Sequence, residues 1–208
     1  MRYPNLKEEK KLWKKGYKVV VGLDEAGRGP LAGPVVAAAV SIIPNYKFQI
    51  PKLKDSKKLT QKKREEFFKI ITKTPNIKWG IGKVSEKVID KINIFEATKL
   101  AMKRAIKSLE RKLKRKANFL ILDGNFKIDL KIPQKSIIRG DEKVLSCAMA
   151  SIIAKVTRDR IMEKYAKKFP EYGFEKHKGY GTKFHLKMLR KYGPCKIHRR
   201  SFFPIAKI

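Results

Sequence analysis

The sequence predicts an α/β domain built on a mixed sheet, and two stretches carry that expectation. Residues 18–24 form a compact apolar run ending in acid; a glycine loop and a second apolar run at 35–43 follow, which reads as two strands joined by a turn. Residues 118–123 are again short, apolar and acid-terminated, and they follow a segment of helical period, as in a parallel crossover.

The remaining elements fall into place around these. Residues 1–16 are polar and lysine-rich with Leu12 and Trp13 scattered among them, a short helical lead-in to which no chemistry is assigned. Pro44 closes the second strand. In 52–73 the apolar residues Leu59, Phe67, Phe68, Ile70 and Ile71 stand at partly helical spacing, and Ile77, Trp79 and Ile81 then alternate as in a half-buried strand. Between Asn93 and Lys116, the positions Phe95, Met102, Ile106, Leu109 and Leu113 trace one face of a helix, while Arg104, Lys107, Arg111 and Arg115 fall on a solvated one. A short strand is expected at 135–139. Asp141 then stands just before a helix carrying Val144, Leu145, Ala148, Ile152 and Val156, where it is a candidate cap. Past Phe169 and Pro170, glycine turns alternate with a helical pattern over 182–191, a small appended segment.

A length of 208 residues suits one domain with a modest appendage, and 42% apolar residues are enough for a sizeable core. The charge is lopsided. Fifty-two Lys and Arg against 19 Asp and Glu leave a net +33, which points to a polyanionic partner, although biased composition also raises lysine. Position sharpens the inference: no acid follows Glu175, whereas ten Lys and Arg do, so a phosphate footprint belongs to the C-terminal end. The longest apolar stretch, 31–43, is interrupted by Pro34 and falls short of the roughly 20 residues that span a bilayer. No secretory signal is read at the N-terminus, so a cytoplasmic protein without a membrane partner is expected. Cys147 and Cys195 are far apart and read as free thiols.

With so few acids, their placement carries weight. Asp24 and Glu25 end one strand, Asp123 ends another and Asp141 opens a helix. Ligand groups gather beyond the carboxyl ends of parallel strands, so Asp24, Glu25 and Asp123 converge if those strands are neighbours. Clustered carboxylates repel phosphate unless a hard divalent cation stands between them, and magnesium or manganese suits such oxygen donors. Two ions a few ångströms apart would support phosphodiester hydrolysis. A single Asp at a strand end is more often a turn or cap residue; the recurrence argues otherwise. Gly27-Arg28-Gly29 is either a plain turn or a close-approach loop whose arginine meets phosphate or sugar, and no nucleotide-binding glycine motif is complete. Tyr180, between Gly179 and Gly181, is either a stacking platform or a buried turn tyrosine. His177, His185 and His198 satisfy no zinc pattern and read as structural.

The strings VGLDEAGRGPLAGPVVAAAV, DSKKL, NIFEATKLAM, LDGN, RGD, ASIIAKVTRD, YGFEKHKGYGT and HRRSF, spread over residues 19–203, closely resemble ribonuclease HII, the type 2 ribonuclease H. Arg28 in the glycine loop favours this class over the sister class HIII, which has threonine there. The resemblance implies a ribonuclease H-like fold, with a mixed five-stranded sheet flanked by helices and a C-terminal helical segment. It divides the chain into a basic lead-in (1–17), a catalytic body (18–169) and a substrate-binding segment of the same domain (170–208). It implies that Asp24, Glu25, Asp123 and Asp141 are catalytic and hold two divalent ions, Mn2+ or Mg2+, with Asp24, Glu25 and Asp123 as the metal set. Gly27, Arg28 and Gly29 would grip the ribonucleotide, Tyr180 would stack at the RNA to DNA junction sugar, and Lys57, Ser151, Lys155 and Arg158 would line the substrate groove. The implied activity is hydrolysis of the RNA strand of RNA·DNA hybrids and cutting 5′ of single ribonucleotides in duplex DNA, by a monomer. The rivals are a non-catalytic basic nucleic-acid-binding protein and another nuclease on the same fold, such as a junction resolvase.

Overall fold

In the computed structural model, residues 3–44 and 59–207 are described. Five strands form one sheet in the order β3-β2-β1-β4-β5. They are β1 (Val20–Ala26), β2 (Val35–Ile42), β3 (Ile77–Val84), β4 (Phe119–Asp123) and β5 (Gln134–Ile137). β1 pairs antiparallel with β2 and parallel with β4, so the sheet is mixed as the sequence predicts. Burial on both faces explains why β1 and β2 read as continuous apolar runs rather than alternating ones. The register places Leu23 beside Leu122, so the next residues, Asp24 and Asp123, leave adjacent strand ends side by side.

One face of the sheet is covered by α3 (Glu86–Leu113), whose Ala97, Ala101, Met102, Ala105 and Leu109 pack on Val21, Leu23, Ala37 and Leu122. The sequence places the start of this helix at Asn93, whereas helical residues begin at Glu86. The two observations meet at Asn93 itself, which has φ 64° and breaks the helix in two. Its Oδ1 accepts the amides of Phe95 and Glu96 at 2.9 and 3.0 Å, capping the second segment. The other face carries α2 (Gln61–Lys73), capped by Thr60, and α4 (Leu145–Lys168). The earlier part of the helix expected over 52–73 lies largely outside the described residues.

α4 is apolar nearly all round its first half, as suits a helix packed against the sheet on one side and other elements on the rest. Its first turn rests directly on β1: Gly22 faces Ser146, and a Cβ at position 22 would collide with the Ser146 side chain and carbonyl carbon. Asp141 does not cap this helix. It sits in a 3-10 turn, Gly140–Glu142, and Val144 occupies the cap position without a side-chain bond. The cap comes from the lead-in instead. In α1 (Lys7–Lys14), Glu9 is 1% exposed and its Oε1 accepts the Ser146 amide at 2.9 Å, placing an acid at the positive end of α4. Leu12 of the same helix packs on Val20, Ile121 and Val144. Replacing Glu9 with Ala removes this acceptor, and calorimetry should show the melting temperature lower by about 5 °C, from roughly 1–2 kcal/mol of lost capping. Glu9→Gln keeps an acceptor and should lose less.

The last forty residues form α5 (Phe174–His177), α6 (Lys183–Tyr192) and connecting turns. Tyr172, Phe174, Leu189, Ile197 and Ile205 pack against Met162 and Ala166 of α4 and Leu31 of the glycine loop, a third cluster continuous with the body. Both cysteines are free. Among the described residues no helix is long and apolar enough to cross a membrane.

Candidate active site

Asp24, Asp123 and Asp141 meet at the ends of β1 and β4, each offering a carboxylate oxygen within 4.8 Å of the others. Asp24 and Asp141 are buried, with 6% and 3% exposure. Asp123 Oδ1 accepts the Gly140 amide at 2.7 Å, which pulls the 3-10 turn over the strand end and carries Asp141 into the group. Asp24 Oδ1 accepts the amide of Glu25 at 2.7 Å. Burial, then the charges of Glu25 and Asp123, hold the Asp24 carboxyl well above the usual carboxylate range. The triad the structure assembles therefore has Asp141 where the sequence-based metal set has Glu25. Glu25, half-buried beside Asp24, forms an ion pair with Arg28 at 3.5 Å. Three converging hard oxygen donors, one of them a buried carboxyl among like charges, fit a divalent cation.

The glycine loop lies beside these acids. Gly27 has φ +97°, in the region that favours glycine, and a side chain there would strike Arg158. Two buried guanidiniums hold this loop from behind. Arg199 donates to Gly27 O at 2.6 Å, Arg28 O at 2.9 Å and Gly33 O at 3.0 Å. Arg158 donates to Ala32 O and Pro34 O, both at 3.0 Å, and to Lys178 O at 2.9 Å. Burial lowers the pKa of Arg199 to about 9, with the Arg158 charge adding to the effect, and that of Arg158 to about 10, so both remain charged at neutral pH. The carbonyls of the loop are thus drawn inward to fixed positive charge. Arg28 keeps its side chain 45% exposed, and the half-exposed ring of Tyr180 stands beside Gly29, whose added Cβ would lie 3.7 Å from Tyr180 Cε1.

The residues expected in the substrate groove divide. Arg158 is 1% exposed and spends its donors on backbone, so it acts on the surface only through the loop it holds. Ser151 is buried and hydrogen-bonds the Asp24 carboxyl from behind. Lys155 is half-buried, with its Nζ 2.8 Å from Asp159. Lys57 lies outside the described residues. Of the ten late cations, Arg199 and Lys178 are buried, the latter paired with Glu163 at 2.9 Å, whereas Lys183, Lys187, Arg190 and Lys191 on α6 are exposed. The histidines are structural, as expected, but they form one cluster. His185 Nε2 lies 3.0 Å from His198 Nε2, and the rings of His177 and His185 stack at 4.5 Å. Burial lowers His185 and His198 to about 4. Both stay neutral in the folded protein, so they withdraw stability as the pH falls from about 6.5 toward 4, where only the unfolded chain takes up protons.

Residues 21–204 match the family model of ribonuclease HII. Ribonuclease HII of Desulfitobacterium hafniense (strain DSM 10664 / DCB-2) is 54% identical over 200 residues, covering 96% of this chain and 74% of that protein. The chain belongs to the ribonuclease HII family. Ribonuclease HII of Caldicellulosiruptor saccharolyticus is 51% identical over 93% of this chain and 91% of its own length. Among solved structures, ribonuclease H2 from Pyrococcus horikoshii OT3 superposes with a TM-score of 0.70 at 28% identity, covering 91% of this chain and 96% of that one. Ribonuclease HII of Archaeoglobus fulgidus, solved in complex with PCNA, gives 0.71 at 28%, covering 88% and 95%. The fold is accordingly ribonuclease H-like, and as a ribonuclease HII the chain is an endoribonuclease, a hydrolase of the RNA in RNA·DNA hybrids. This favours the enzymatic reading over a basic protein that only binds nucleic acid.

Proposed function

We propose that this ribonuclease HII also cuts the strand that carries a single ribonucleotide in duplex DNA, on its 5′ side, leaving 3′-hydroxyl and 5′-phosphate ends. One observation carries the reading: three carboxylates from two parallel strand ends and a turn lie within 4.8 Å of one another, next to a loop pinned with its carbonyls inward. Asp24, Glu25, Asp123 and Asp141 hold two divalent ions, magnesium or manganese, which when bound supply a water of lowered pKa and stabilise the leaving oxygen. The side chains do the rest. Ser151 orients Asp24, and the Gly140 amide fixes Asp123. Gly27, Arg28 and Gly29 grip the ribonucleotide, where the 2′-hydroxyl is the feature that separates RNA from DNA. Tyr180 stacks on the sugar at the junction. No side-chain nucleophile is needed: the nearby Cys147 is buried, which pushes its thiol pKa well up.

In this reading the lead-in 1–17, the body 18–169 and the segment 170–208 act as one unit, a view supported by the Glu9 cap on α4 and by the third apolar cluster. The protein works as a cytoplasmic monomer. The test is incubation with a labelled duplex holding one ribonucleotide, alongside all-DNA and hybrid duplexes, with magnesium, with manganese and with chelator. Metal-dependent cutting 5′ of the ribonucleotide, with the all-DNA duplex intact, is expected. Cutting of the hybrid alone would remove the junction role of Arg28 and Tyr180, and cutting in chelator would remove the ions.

A further inference from the structure

A directional hydrogen-bond chain through two histidines ends on the Tyr180 carbonyl. The Cys195 amide donates to His198 Nδ1 at 2.8 Å, so that nitrogen accepts and His198 Nε2 carries the proton. His198 Nε2 therefore donates across 3.0 Å to His185 Nε2, which leaves the proton of His185 on Nδ1. That nitrogen donates to Tyr180 O at 2.9 Å. On the other flank, the Gly179 amide donates to His177 Nδ1 at 3.2 Å, and His177 Nε2 donates to Tyr172 O at 2.8 Å. Every imidazole in the cluster is held in one tautomer, and the carbonyl of Tyr180 and the amide of Gly179 are each tied to a ring nitrogen of one of two stacked imidazoles. The same segment meets the glycine loop through Leu31 N to Gly179 O at 2.8 Å and Arg199 N to Leu31 O at 2.9 Å.

We propose that His185, oriented by His198, is a positioning residue for Tyr180: it holds the exposed ring beside Gly29, and so sets selectivity for a ribonucleotide junction over a continuous hybrid. The proposal rests on the reading of Tyr180 as the residue that stacks at the junction sugar. Neither histidine touches substrate, since both are buried, with 0% and 2% exposure. Their effect reaches the site only through the Tyr180 backbone. A continuous hybrid has no junction at its cutting sites, so the ratio of kcat/KM on single-ribonucleotide duplex to that on hybrid isolates the effect.

Two substitutions separate positioning from packing. In His185→Asn the side-chain amide falls near the place of Nδ1 and keeps the bond to Tyr180 O while losing His198; in His185→Gln it falls near Nε2 and does the reverse. Both damage the buried cluster, so melting temperatures should fall for both. The selectivity ratio should drop about tenfold in His185→Gln, within the range one stacking contact is worth, and stay within about twofold of the parent in His185→Asn. Tyr180→Ala should lower the ratio similarly, and the double variant His185→Gln/Tyr180→Ala should lose no more than Tyr180→Ala alone. Equal loss in the Asn and Gln variants, or additive loss in the double variant while Tyr180→Ala alone has its effect, overturns the positioning role. An unchanged ratio in Tyr180→Ala overturns the stacking role itself, and the inference with it. If the Gln variant does not fold, His185→Ala, which removes the donor to Tyr180 O, should lower the ratio by about the same tenfold, and a ratio within about twofold of the parent overturns the positioning role.

Discussion

Asp24→Asn is expected to cut no substrate at a measurable rate, a loss on the order of 1,000-fold or more, while still binding hybrid. Asn keeps the shape and loses the charge that fits a cation. The same change should stabilise the protein in the absence of divalent ions. Asp24 is buried among like charges, and both effects disfavour its ionised form. Removing that charge should raise the metal-free melting temperature by about 3 °C or more. The pH dependence has the opposite sign to the common carboxylate case. A carboxyl raised in the folded state takes up its proton before the unfolded chain does, so the Asp24 contribution stabilises the metal-free parent as the pH falls toward the ordinary carboxyl value. In Asp24→Asn that contribution vanishes. Divalent ions must displace the proton, so their affinity in the parent should rise with pH. Calorimetry across pH, with and without magnesium, together with hybrid binding and cleavage, reads all of this. Full activity in the variant, or a lower metal-free melting temperature, would contradict the reading.

Arg199→Lys should be nearly as damaging, although it preserves the charge. A guanidinium reaches three carbonyls at once from a planar fork, while an ammonium on a flexible stem cannot satisfy Gly27, Arg28 and Gly33 together. Each buried carbonyl left without a donor costs about 1–3 kcal/mol, so a fall in melting temperature of roughly 10 °C is expected. Cleavage at a single ribonucleotide should drop about 100-fold, the size of effect that follows a displacement of around 1 Å in positioning groups. The neighbouring Arg200 is exposed and is the control; Arg200→Lys should change both measurements little. If Arg199→Lys matched Arg200→Lys, the loop would be held by something other than the fork.

Much of this architecture is legible in the sequence because it is local. Apolar runs that end in acid announce β1 and β4, and Asp24 and Asp123 converge on the condition that these strands are parallel neighbours, which the register supplies. The helical period read from Asn93 onward matches the second segment of α3, whose first turn the Asn93 side chain caps. What the sequence hides depends on long-range burial. Nothing in the spacing of Arg158 or Arg199 separates a groove cation from one turned inward to backbone carbonyls, because arginine serves both purposes. Asp141 resembles a cap, since the contact that turns it toward the strands comes from Asp123, which accepts the amide next to it from a neighbouring strand. The cap that α4 does have belongs to Glu9, 137 positions earlier, in a stretch whose lysines conceal it. The histidine chain is likewise invisible, because spacings of eight and thirteen acquire meaning only once the turns around Tyr180 have closed.

The contact between Gly22 and Ser146 makes one strand residue a gauge. Asp24 and Asp123 ride on the sheet, whereas Asp141 rides on the turn that leads into α4, so the spacing of the carboxylates depends on how closely the helix rests on the strand. With hydrogen alone at position 22, backbone seats on backbone. A single methyl there would act as a shim, lifting the first turn of α4 and opening the gap between carboxylates while leaving each of them in the sequence. The tolerance of the ion site is machined by a residue that carries no functional group.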